Sequence, residues 1–222
     1  MIRLFVFDLD GTLVDSLRDL ADSANEMLSS YGAAPLEIAA IGGMVGEGAA
    51  RLVARACSAA GIAPQDSLGC FLEIYDMKLQ AHTRPYDEMA GVVATLGRGA
   101  SLAVLTNKPR GATRRILAGL DLARFFDDDT VIGGDGPWPR KPDPAGLLHL
   151  CARAAVAPAD AMLVGDSLVD WQTARRAGTA ICLARYGFGF PGLPSGTFDG
   201  GEQFIDVPAD LLRVSRSRGA AT

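Results

Sequence analysis

The chain has 222 residues, 49% hydrophobic and 21% charged, enough for one large globular domain or a core domain carrying a smaller one. A net charge of −5 and an aromatic content of 7% argue against a nucleic-acid partner. No apolar run reaches membrane-span length, and the first residues lack the apolar stretch and cleavage site of a signal peptide, so the expectation is a cytoplasmic protein with no membrane partner.

Cys57, Cys70, Cys151 and Cys182 lie far apart without a CxxC spacing and read as reduced core thiols. His82 and His149 are too few for a histidine-rich zinc site. The first strand, Leu4 to Phe7, runs into Asp8-Leu9-Asp10-Gly11-Thr12. A buried strand has no structural use for two acids at its end, so Asp8 and Asp10 are the first candidates for chemistry. Apolar residues at helical spacing then predict three helices in succession, around Leu17 to Tyr31, Ala49 to Ala56 and Leu68 to Leu79. They form a helical block inserted after the first strand and ended by Pro85.

From Asp87 onward helices and short apolar strands alternate. A helix with Val92, Val93 and Leu96 precedes the strand Ser101 to Thr106, and Pro109 opens another helix through Leu117. Val131-Ile132, Ala161 to Val164 and Thr179 to Ala184 are the later strands. The helices between them carry Leu147, Leu148 and Cys151, then Trp171 and Ala174. The pattern predicts an α/β fold, a Rossmann-like parallel sheet with helices on both faces. The tail after Leu212 reads as a frayed, solvated end. Gly187 to Gly192 formally fits GxGxxG, but Pro191 and Pro194 deny it the helix that a dinucleotide site needs.

In such sheets ligands bind beyond the carboxyl ends of the strands. Those ends deliver Asp8 and Asp10, then Thr106 and Asn107, then Asp166 and, one turn later, Asp170; Lys141 comes from the loop before a helix. Taken singly, each has a plain alternative. Asp8 and Asp10 could form a solvated turn, Thr106-Asn107 could be turn chemistry, and Lys141 could be a surface lysine. Asp166, Ser167 or Asp170 could cap the next helix, and Asp127-Asp128-Asp129 reads as a solvated loop. Taken together, Asp8 and Asp166 make a hard oxygen site suited to Mg²⁺. If both bind one ion their strands are neighbours, which predicts the strand order 3-2-1-4-5.

The order and spacing of these motifs resemble the haloacid dehalogenase-like hydrolase superfamily. Asp8-Leu9-Asp10-Gly11-Thr12 matches its first motif, Thr106 its second, Lys141 its third, and Gly165 to Asp170 its fourth. The resemblance implies a catalytic core of residues 1–15 and 86–222 and a helical cap of residues 16–85. It also implies roles. Asp8 is the nucleophile that forms an aspartyl-phosphate, and Asp10 protonates the leaving alkoxide and then deprotonates water. Thr106, Asn107 and Lys141 bind the phosphoryl group. Asp8, the Asp10 backbone carbonyl and Asp166 ligate Mg²⁺, with Asp170 orienting them. Relatives that cleave carbon–halogen or phosphonate bonds lack the second aspartate, so Asp10 points to a phosphate ester.

Val45 to Val53, Gly133-Gly134-Asp135 and Tyr186-Gly187-Phe188-Gly189 look most like phosphoglycolate phosphatases. Phosphatases of other small metabolites share much of the pattern, and Gly136 to Arg140 and Pro191 to Gly201 are less typical of it. A phosphosugar mutase on the same site and a receiver-type signalling domain are the alternatives. In the block, Gly46, Glu47, Gly48 and Arg51 are the candidates for substrate selection, with Arg51 equally readable as helix surface. The expected partner is a small phosphorylated metabolite, the expected state a monomer or homodimer.

Overall fold

The computed structural model describes residues 1–194 and 196–217. The chain opens with β1 (Leu4–Phe7) and the short β2 (Val14–Asp15). It then passes through α1 (Leu17–Ser30), α2 (Ile38–Gly42), α3 (Ala49–Ala59) and α4 (Ser67–Lys78) before returning through β3 (Arg84–Pro85). Helix α2 was not expected: its five residues, Ile38 to Gly42, are too few to display a period. β2 and β3 pair antiparallel, Val14 with Pro85 and Asp15 with Arg84, so the entry and exit of the helical block lie side by side.

The remainder alternates as expected: α5 (Met89–Leu96), β4 (Ser101–Leu105), α6 (Arg110–Gly119), β5 (Val131–Ile132), α7 (Ala145–Arg153), β6 (Ala161–Gly165), α8 (Leu168–Ala177) and β7 (Ala180–Ala184). The strands form a parallel sheet in the order β5-β4-β1-β6-β7, which is the predicted 3-2-1-4-5, extended by one further strand, β8 (Gln203–Ile205). Three residues flanked by a glycine- and proline-rich stretch carry too little periodicity to be read as a strand.

Side chains alternate across the sheet with the two-residue period of a strand. Phe5, Phe7, Val104 and Val164 face one side, under α5 and α6, in a core continuous with that of the helical block. Leu4, Val6, Leu105 and Leu163 face the other, under α7 and α8. With both faces covered, the strands are apolar throughout and polar residues are confined to their ends.

The tail differs from expectation. Residues 211–217 form a last helix, α9 (Leu211–Ser217), with Leu211 buried and Leu212 and Val214 packed on the core. These apolar residues recur closely enough to dock one face of a helix. The rest of the expected frayed tail, 218–222, lies outside the described residues. All four cysteines are free thiols, with Cys70 half-buried and the others buried. Asp127 to Asp129 are exposed, as expected, and at the surface Asp128 pairs with Arg110 and Arg114 and Asp129 with Arg153. Among the described residues no helix is long and apolar enough to cross a membrane.

Candidate active site

Register brings the polar residues together. Phe7 at the end of β1 pairs with Val104 on one side and Val164 on the other, so the chain leaves three adjacent strands at one level. Asp8, Thr106 and Asp166 follow within two residues. Asp8 is buried; its backbone N–H donates to the Val164 carbonyl at 2.9 Å, and its Oδ1 accepts from the Leu9 N–H at 2.7 Å.

Lys141 approaches from the loop before α7. Its ammonium lies 3.0 Å from Asp8 Oδ2 and donates to Asp170 Oδ1 at 2.6 Å. Burial works against charge on Lys141, and the two carboxylates outweigh it, holding the ammonium above its ordinary range. Burial pushes the Asp8 carboxyl from 3.8 up to about 6, against the pull of Lys141. Burial also raises Asp166 well above the ordinary carboxylate range, reinforced by Asp170 and Asp8.

The carboxylates of Asp8, Asp166 and Asp170 offer oxygen atoms that all lie within 4.8 Å of one another. Distance alone does not make all three into ligands. Asp170 is committed on both oxygens: Oδ1 to Lys141, and Oδ2 to the Ser167 N–H at 3.1 Å and hydroxyl at 2.5 Å. With Ser167 it also closes a capping box at the start of α8. Asp170 therefore positions Lys141 and the helix. Asp166 Oδ2 accepts from the Gly189 N–H at 2.8 Å. A Cβ on Gly187, or on Gly11 with its φ of +81°, would collide with the Asp166 carboxylate, so these glycines allow the backbone to close around it.

Two features were not legible in advance. Lys108, directly after Thr106-Asn107, is buried, and its ammonium donates to both Asp10 oxygens at 2.8 Å. The Ser16 hydroxyl donates to Asp10 Oδ1 at 2.6 Å. The signal that could have found Lys108 is its place in the same strand-end turn as Thr106. The second is the role of the segment after β7: Tyr186 donates to the Thr12 carbonyl at 3.1 Å, and Gly187 and Gly189 wrap Asp166.

Thr106 accepts from the Lys108 N–H at 3.3 Å, and Asn107 Nδ2 joins the Gly46 and Lys141 carbonyls at 2.9 Å each. Asn107 thus ties the helical block to the Lys141 loop. A cavity of about 720 Å³ opens between the block and the sheet, lined by Asp8, Asp10, Thr106, Asn107 and Lys108 at its base and largely by apolar residues above. Gly46 and Gly48 are among its lining residues, and Glu47 and Arg51 are not. Glu47 pairs with Arg55, and Arg51 is exposed on α3.

Residues 2–178 match the model of the haloacid dehalogenase-like hydrolases. The chain belongs to this family. The hydrolase is 43% identical over 201 residues to the phosphoglycolate phosphatase of Rhodospirillum rubrum, covering 85% of this chain and 81% of that protein. It is 36% identical over 225 residues to a plasmid-borne phosphoglycolate phosphatase of Cupriavidus necator, covering 97% and 95%. Among solved structures it superposes with a TM-score of 0.84 on a predicted phosphoglycolate phosphatase from Haemophilus somnus, at 29% identity over 96% of this chain and 98% of that one.

At the candidate site of this hydrolase, four carboxylates (Asp8, Asp10, Asp166 and Asp170) face two ammonium groups, Lys108 and Lys141. Counted in their ionised forms, the carboxylates of this largely buried cluster of hard oxygen donors exceed the ammonium groups by two, and the burial that raises Asp8 and Asp166 works against that charge. That donor set and charge fit a divalent cation such as Mg²⁺.

Proposed function

We propose that this hydrolase is a Mg²⁺-dependent phosphatase acting on a small phosphorylated metabolite, with 2-phosphoglycolate the first candidate. The observation that carries the reading is the buried Asp8 carboxylate, ion-paired to Lys141 and opening onto the cavity beside Asp10. The similarity to phosphoglycolate phosphatases names the candidate substrate.

Asp8 attacks phosphorus, the bond to the ester oxygen breaks, and an aspartyl-phosphate forms. Asp10 gives its proton to the departing alkoxide, then takes one from the water that hydrolyses the intermediate. The Thr106 hydroxyl and neighbouring backbone N–H groups hold phosphoryl oxygens, while Lys141 offsets charge on them and on Asp8. Such a site works by position and electrostatics, as phosphoryl transfer requires. Asp8, Asp166 and the Asp10 carbonyl would hold Mg²⁺, which supplies positive charge against the phosphoryl oxygens. Residues 16–85 act as a cap hinged where β2 and β3 pair, closing over the cavity to exclude water.

The test is phosphate release from a panel of metabolite monoesters with Mg²⁺, using Asp8→Asn as control. Release from 2-phosphoglycolate that vanishes in Asp8→Asn is expected. Release from no ester, or full activity in the variant, overturns the reading.

A further inference from the structure

Lys108 is a buried cation that the proposed chemistry leaves without a task. It is also badly placed for Asp10: the ammonium occupies both carboxylate oxygens, with Ser16 adding a second bond to Oδ1. A general acid must carry its proton within hydrogen-bond reach of the ester oxygen. In the arrangement observed, Asp10 is engaged as the anionic partner of an ion pair. Some of these contacts have to yield before it can act.

The cavity shows what can take the place of Asp10. Among the described residues that line it, Lys108 is the one cation. The walls near it are apolar, including Val45, Leu52, Phe71 and Leu79, and the ammonium sits 4.8 Å from the centre of the Tyr75 ring. Glu73 and Asp76 also line the cavity, and Asp76 is paired with Arg115. With Lys141 held at the base between Asp8 and Asp170, Lys108 is the cation left for a second anionic group of the substrate, in weakly screened surroundings. The reach is also right. Asp10 must touch the ester oxygen, Lys108 touches Asp10 at 2.8 Å, and a carboxylate on the ester carbon lies two bonds from that oxygen.

We propose that Lys108 is the receptor for a substrate carboxylate on the carbon next to the ester oxygen, and that it exchanges Asp10 for this carboxylate, releasing Asp10 to act as acid. The inference rests on the phosphatase reading and deepens it. Substrate recognition and release of the general acid become one event, so an ester without the carboxylate binds poorly and also leaves Asp10 held. The exchange moves no electrons: Lys108 stays an ammonium throughout. The proton delivered to the alcohol oxygen as the P–O bond breaks comes from Asp10, as in the proposed reaction.

The test compares 2-phosphoglycolate with ethyl phosphate, which has the same length and no carboxylate, in wild type, Lys108→Met and Lys108→Arg. Removing one partner of a buried charge contact predicts that Lys108→Met lowers the ratio of the two kcat/KM values by roughly 30-fold or more. Lys108→Arg should restore part of that ratio. Equal losses on both esters would overturn the exchange, because they would mean that Lys108 serves Asp10 alone. A second measurement needs no variant: acetate, against chloride at equal ionic strength, should accelerate hydrolysis of methyl phosphate by the wild type. Inhibition or no effect counts against the proposal. Failure of the wild type to hydrolyse any of these esters would overturn the exchange by removing 2-phosphoglycolate as the substrate, while the phosphatase reading would fall only if the whole panel of monoesters released no phosphate.

Discussion

Replacing Asp8 with asparagine should stabilise the metal-free protein while silencing it. Burial lifts the Asp8 carboxyl from 3.8 to about 6, even with Lys141 beside it. For an acid whose folded pKa is raised, stability falls as pH climbs from the unfolded value to the folded one, and stays low above it. At pH 7 keeping Asp8 ionised therefore costs the fold about 3 kcal/mol, and at pH 4.5 about 1 kcal/mol. Asparagine keeps an oxygen for the Leu9 N–H, and Lys141 keeps Asp170 as its partner. Taking the 3 kcal/mol as an upper bound, Asp8→Asn should melt roughly 3–10 °C above wild type at pH 7. The assay is thermal unfolding followed by circular dichroism in EDTA at pH 7 and pH 4.5. The gap should narrow at the lower pH, while turnover with Mg²⁺ falls roughly 10³-fold or more. A variant that melts at or below wild type at pH 7, or a gap indifferent to pH, would refute the electrostatic reasoning.

Other perturbations probe the rest of the site. Lys141→Met strands Asp8 and Asp170 without their cation and should cost about 3–5 kcal/mol in denaturant unfolding, along with activity. Gly187→Ala forces a methyl into Asp166 and the Gly11 carbonyl; a loss of about 1–3 kcal/mol is expected, with a weaker stabilisation by Mg²⁺ in the same melts. Asp19, in α1, accepts from the backbone N–H groups of His82 and Thr83 and from the Thr83 hydroxyl, tying the end of the helical block to its start. Burial opposes ionisation of Asp19, but these hydrogen bonds win and hold its carboxyl below 3.8. Its contribution is present above the unfolded value and is lost as pH falls through the folded one, so Asp19→Ala should destabilise by about 1–3 kcal/mol near neutrality and progressively less as pH falls below the ordinary carboxylate range. Addition of Mg²⁺ at about 100 times its Kd should stabilise the wild type by about 2.7 kcal/mol, measured by the shift in urea midpoint.

Much of this molecule is legible one residue at a time. Asp8, Thr106 and Asp166 stand out because each ends an apolar run, and a strand covered on both faces can place a polar group only at its ends. The strand order followed from requiring Asp8 and Asp166 to share a site. What escaped was short or held by distant partners. The three residues of β8 and the five of α2 are below the length at which a period shows. Glu47 and Arg51 sit in the expected segment, yet the turn of α3 leaves Arg51 in solvent and pairs Glu47 with Arg55.

Lys108 marks the boundary between the two kinds of information. The sequence alone determines that a lysine follows Thr106-Asn107 at a strand end, and that Asp8 and Asp10 follow another strand. Only the tertiary structure decides that Lys108 and Asp10, 98 residues apart, share an ion pair, and that Gly187 and Gly189 enclose Asp166. The physical reason is that periodicity records which face of an element is apolar, whereas the partner of a buried charge is set by sheet register and by loops packed from remote parts of the chain.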